Sequence, residues 1–185
     1  MKNPLPYLKF QWKASNRHGI HPPFVYHLLE DVIYSKEKNQ KNSPSKRRHK
    51  EYQLYKRLFR HFKVKSIFLN HDDTFFEQLI NDVQITKNEI VTENQSLSLL
   101  NQRTFDVYIL NQVHHTEGLS RIFKKTIIKN DSFVIIPQLR ASKSQLDFWR
   151  SFIKEDFVQV SLEFYSFGLV FFRKECSRQS FSIRF

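Results

Sequence analysis

Glycine is almost absent from this chain: Gly19, Gly118 and Gly168 are the only three in 185 residues. Loops that cradle phosphates or nucleotides rely on glycine for left-handed backbone and for close approach of bare peptide groups. A glycine-rich nucleotide loop is therefore excluded. Cysteine is scarcer still, and Cys176, standing alone, can form neither an internal disulfide nor a thiolate metal cluster. That favours a reducing compartment. No apolar run approaches the roughly 20 residues of a membrane span, and Met1 to Trp12, with Lys2, Pro4, Pro6 and Lys9, lacks the core of a signal peptide. The expected location is the cytoplasm. With 40% hydrophobic residues, the chain is long enough for one domain with a continuous core.

Positive charge, by contrast, is plentiful and unevenly placed. The net charge is +12, and residues 1–65 hold 16 Lys and Arg against 4 Asp and Glu, while residues 66–185 hold 14 of each. The whole excess lies in the first third, where it creates a local field that attracts phosphate backbones or acidic partners, or serves as a solvated helix face.

The hydrophobic pattern divides the chain. Asn16 to Pro23 (Asn-Arg-His-Gly-Ile-His-Pro-Pro) reads as an ordered polar loop leading into a helix over Phe24 to Tyr34. Ser35 to Pro44 is polar enough to be a connection. From Ser45 to Phe62, Tyr52, Tyr55, Leu58, Phe59 and Phe62 recur at three- and four-residue spacing, the stripe of an amphipathic helix whose other faces are basic. After Lys65 short apolar runs alternate with helical segments, the rhythm of βαβ units. Strands are expected at Ser66–Leu69, Glu89–Thr92, Phe105–Leu110 and Ser132–Ile136, with helices at Thr74–Asn81, Ser96–Gln102, Leu119–Ile128 and Lys143–Lys154. Phe157–Phe164 and Phe167–Arg173 lie too close for a crossover and predict an antiparallel hairpin turning near Ser166 and Gly168. The resulting organisation is a basic helical extension, 1–64, packed on an α/β core, 65–185.

Both ends of the chain carry motifs that periodicity does not explain. Asn-Arg-His-Gly-Ile-His-Pro-Pro-Phe-Val at 16–25, and Phe-Gly-Leu-Val-Phe-Phe-Arg-Lys-Glu at 167–175 with Phe-Ser-Ile-Arg-Phe at 181–185, resemble a bacterial family of predicted class I S-adenosylmethionine-dependent methyltransferases. Leu58–Leu69 and Phe105–His115 extend the resemblance. It implies a three-layer Rossmann-like sheet, mostly parallel, with a C-terminal antiparallel hairpin. Only 12 residues separate Glu93 from Asp106, room for one short helix, so the third, edge strand of that sheet is expected to be missing.

The departures from the family pattern fall on its functional positions. Where the first strand should end in an acidic residue and a glycine-rich turn, this chain has Phe68, Asn70 and Thr74, with Asp72 and Asp73 close by. Asn111 and Gln112 stand at an Asp-Gly pair, and Pro137, Gln138, Leu139 and Arg140 replace acidic residues after the fifth strand. The carboxylates that would hold a divalent cation are thus gone. His114 and His115 lack a third ligand, so no metal site and no catalytic residue is expected. Glu93 matches the ribose-binding acid, and with Asn70 and Asn111 it marks the vestige of a cofactor site. The sequence therefore predicts a methyltransferase-like protein without cofactor or catalysis, serving as a binding or scaffold component for a protein or nucleic-acid partner. Its partner-binding candidates are Arg17, His18, His21, Arg47, Arg48, Lys50, Arg57 and Arg60. Two alternatives stand beside it: an active methyltransferase whose pocket a partner completes, and a nucleic-acid-binding module using the basic helix. Tyr52 and Tyr55 would be the stacking residues of that module, although their spacing suits core packing better.

Overall fold

The structure, a computed structural model, describes residues 5–15, 22–35, 46–70, 73–85, 90–92, 103–111, 123 and 128–185, with the side chains of 46, 47 and 90–92 excepted. In chain order the elements are α1 (Leu5–Lys13), α2 (Pro23–Leu28), which continues into a π-helical turn (Leu29–Ile33), α3 (Lys46–His61), β1 (Ile67–Leu69), α4 (Thr74–Asp82), β2 (Ile90–Thr92), β3 (Val107–Ile109), β4 (Phe133–Ile136), α5 (Lys143–Phe152), β5 (Val160–Glu163), β6 (Gly168–Phe171) and β7 (Gln179–Ser182).

The strands form one sheet in the order β2-β1-β3-β4-β6-β5-β7. Neighbours are parallel except where β6 pairs antiparallel with β4 and β5. This is the mostly parallel α/β sheet with a closing hairpin that the sequence implies. Among the described residues β2 is the edge; residues 93–102, where the expected Ser96–Gln102 helix and the expected loss of the third strand fall, lie outside them. So does most of the Leu119–Ile128 segment.

Because strand side chains alternate between faces, the buried strands split into two cores. Ile67, Leu69, Val107, Ile109, Phe133, Ile135 and Leu169 face α2, the π turn, α3 and α4, while Phe68, Tyr108, Val134, Ile136 and Val170 face Phe148, Trp149 and Phe152 of α5. The amphipathic stripe of α3 is thereby explained. Leu54, Tyr55, Leu58 and Phe59 are all buried against the sheet, so residues 1–64 supply part of one covering layer.

Helix ends show how a glycine-poor chain terminates its elements. After α3, Val64 N–H reaches the Phe59 carbonyl (2.9 Å) and Lys63 N–H the Arg60 carbonyl (3.1 Å). That pattern is the Schellman cap, whose left-handed position usually belongs to glycine. Here Lys63 occupies it at φ 49°, and Gln84 does the same after α4 at φ 59°. Gly168 is wanted for another reason. It begins β6 directly after the expected turn, and a Cβ there would lie 2.3 Å from the Trp149 ring.

Two elements were not anticipated by periodicity, α1 and β7, and they meet. Ser15 bridges to Ile183 in parallel, with Ser15 N–H donating to the Ser182 carbonyl at 2.8 Å. Arg184 Nε donates to the Gln11 carbonyl (2.9 Å), and the Tyr34 hydroxyl to that of Arg184 (2.8 Å). Gln11 and Ser15, remote in sequence from Ile183 and Arg184, thus join them at one sheet edge.

Candidate functional site

In an open α/β sheet a ligand sits outside the carboxyl ends of the strands, where the strand order reverses. Here that point lies between β1 and β3, because the chain leaves β1 toward β2 and returns to the opposite side of β1. The residues that follow these two strands are Asn70 and Asn111, both buried.

They hold each other. Asn70 Oδ1 accepts from the Asn111 N–H at 2.6 Å, and Asn70 Nδ2 donates to the Asn111 carbonyl at 2.8 Å. One side-chain amide thus continues the β-ladder past the end of the strands, joining them where glycine would leave bare backbone. Asn111 Nδ2 in turn donates to Asp73 Oδ2 at 2.9 Å. The other oxygen, Asp73 Oδ1, accepts from the Phe75 N–H at 2.9 Å and caps α4. The positive end of α4 therefore already has its carboxylate.

On the β4 side Gln145 makes a similar closure. Ser142 caps α5 by accepting from the Gln145 N–H. The Gln145 side chain, buried to 3% exposure, donates through Nε2 to the carbonyls of Leu110 (3.3 Å) and Pro137 (3.0 Å). Sequence reasoning missed this residue. Its Ser-x-x-Gln spacing after Ser142 is the signal of a capping box, but the amide turns to the strand ends instead.

Above these groups lies a cavity of about 30 Å³ lined by Arg48, Glu51, Tyr55, Asp73, Phe75, Phe76, Pro137 and Gln138. It suits a water molecule or two, whereas small-molecule sites run to hundreds of Å³. Polar atoms are available to such water. The Tyr55 hydroxyl and Asn111 Oδ1 are buried without a protein partner. Burial, reinforced by the Glu51 charge, raises the Tyr55 phenol well above its usual range and keeps it a neutral donor. Tyr55 is thereby a core residue rather than an exposed stacking platform, packed against Phe75, Phe76 and Phe167. Tyr52 is partly buried and donates to Asp82 at 2.8 Å.

The basic candidates separate along α3. Arg48 and Lys50 are exposed on its amino-terminal half, which lies at the same end of the sheet as Asn70 and Asn111. Arg48 sits over the Phe75 ring at 5.2 Å, and Lys50 borders a small gap with Gln11, Tyr165 and Ser166. The Arg47 side chain lies outside the described residues. Arg57 is engaged in the fold: its Nε donates to the Val32 carbonyl at 2.7 Å and its Nη2 to that of Ile33 at 3.3 Å. Arg60 is exposed four turns from the helix start, about 18 Å from Arg48 at 1.5 Å per residue. Glu93, Arg17, His18, His21, His114 and His115 lie outside the described residues. Among the described residues no group of three or more His, Cys, Asp or Glu could hold a metal ion, and no helix is long and apolar enough to cross a membrane.

No family model matches the chain, and no curated protein matches it. Among solved structures it is similar to a Staphylococcus aureus protein described as a caffeoyl-CoA O-methyltransferase, at 12% identity and a TM-score of 0.42, over 90% of this chain and 97% of that one.

Proposed function

We propose that this chain is a methyltransferase-like scaffold that does not use S-adenosylmethionine and that engages a macromolecular partner through its basic amino-terminal third. The observation that carries the reading is the Asn70–Asn111 closure of the switch point. A cofactor with its own carboxylate would meet Asp73, already seated at the α4 amino end. In this reading the switch point holds no cofactor. Calorimetry with S-adenosylmethionine and S-adenosylhomocysteine tests the reading: no heat of binding is expected, and saturable binding at micromolar affinity overturns it.

In this reading the partner-facing charge comes from the first turns of α3, where Arg48 and Lys50 are exposed and Arg47 is adjacent in sequence. Arg57 belongs to the fold and is left out of any charge-reversal set. Reversal of Arg47, Arg48 and Lys50 is expected to abolish capture of the partner in a pull-down, with the melting temperature read alongside to separate lost binding from lost stability. Retained capture would place the partner elsewhere.

A further inference from the structure

Large apolar side chains are hidden throughout the described residues, with one concentrated exception. Five are exposed, and four of these, Leu5 (57%), Tyr7 (38%), Leu8 (49%) and Trp12 (86%), lie on the nine residues of α1. Leu5, Leu8 and Trp12 follow the three- and four-residue spacing of a single helical stripe. The opposite side of the helix is the one that docks. There Phe10 and Ala14 are buried, Tyr7 and Phe10 meet the Tyr165 ring edge-on at 5.0 and 5.7 Å, and Arg140 lies over Phe10 at 4.9 Å. Arg140 also bonds Glu163 and the Tyr165 carbonyl, which fixes this contact to the β5–β6 turn. α1 is therefore a helix with two apolar faces, one used by the fold and the other held outward.

The charges around the outward stripe identify what it suits. Lys9 and Lys13, both exposed, flank it on one side. No Asp or Glu occurs before Glu30. Lys50 of α3 stands near Gln11 across the small gap noted above. A tryptophan and two leucines bordered by lysines are the side chains that enter the headgroup region of an anionic bilayer: the apolar groups insert and the ammonium groups remain with lipid phosphate. Aliphatic residues in the stripe gain little from a nucleic acid, whose bases reward flat rings. We infer that the outward face of α1 is a docking surface for an anionic membrane, to which the folded protein attaches peripherally by Leu5, Leu8 and Trp12. The inference does not depend on whether a cofactor binds.

The chain has two tryptophans, and Trp149 is buried at 1% exposure, so fluorescence changes at the membrane report on Trp12. The full chain is mixed with vesicles of phosphatidylglycerol and phosphatidylcholine, and with pure phosphatidylcholine. Expected are co-sedimentation and a blue shift of emission with the anionic vesicles alone, both weakening with salt. A variant carrying Leu5→Ser, Leu8→Ser and Trp12→Ser should keep the wild-type melting curve and lose vesicle binding by about tenfold or more. Lys9→Glu with Lys13→Glu should shift binding to lower ionic strength. Absence of vesicle binding overturns the inference, as does binding that the triple serine variant leaves intact. It is also overturned if single-stranded RNA, and not the vesicles, binds in a Trp12-dependent way.

Discussion

Lys63 and Gln84 occupy left-handed cap positions, and Gln138 holds φ 53° in the loop after β4. A side chain in this region costs roughly 1–2 kcal/mol relative to glycine. Lys63→Gly and Gln84→Gly are accordingly expected to raise stability, each by about 1 kcal/mol, read as a later midpoint in urea. Gly168→Ala should do the reverse. The added methyl would meet Trp149 ring atoms at 2.3–2.7 Å, and overpacking of this kind costs about 1–3 kcal/mol; replacing Trp149 by leucine in the same chain should recover part of the loss. Asp106 supplies a pH-dependent contribution. Burial opposes its ionisation but is outweighed by bonds from Lys129 and the backbone N–H groups of Lys65 and Ser66, so its carboxyl lies below the usual value. A depressed carboxyl stabilises the fold above its unfolded pKa near 3.9, and that contribution is lost as pH falls through the folded value. Asp106→Asn should thus cost about 1–3 kcal/mol at pH 7, with the gap to wild type closing in acid unfolding curves below about pH 4.

At the scale of elements, what could be read from the sequence was whatever periodicity controls. The α3 stripe, β1, β3, β4 and the β5–β6 hairpin lie within a residue or three of their expected bounds. The π turn after α2 was not legible, because its cause is remote: Arg57, more than 20 positions away, takes up the Val32 and Ile33 carbonyls. Arg57→Ala should unseat this turn and cost about 1–3 kcal/mol, measured by chemical denaturation. β7 was missed for a related reason. Its residues Gln179–Ser182 lack strand alternation and are fixed by pairing with β5. Asn70 and Asn111 could be named as departures from a family pattern, but nothing in their identity shows that one amide would bond the backbone of the other.

At the scale of the molecule, the βαβ rhythm and the hairpin followed from the spacing of the elements, while the site did not, since Gln145, Tyr55 and Asp73 converge on it from three helices. The joining of the termini is a property of the whole chain as well. Ser15 contacts Ile183, and Arg184 contacts Gln11, so the inner face of α1 has no complete seat until Ile183 and Arg184 exist. At about 5–20 residues per second, synthesis from α1 to Arg184 takes on the order of 10–35 s, and the helix waits that long for its dock. Through that interval both of its apolar faces are open to whatever surface lies beside the ribosome.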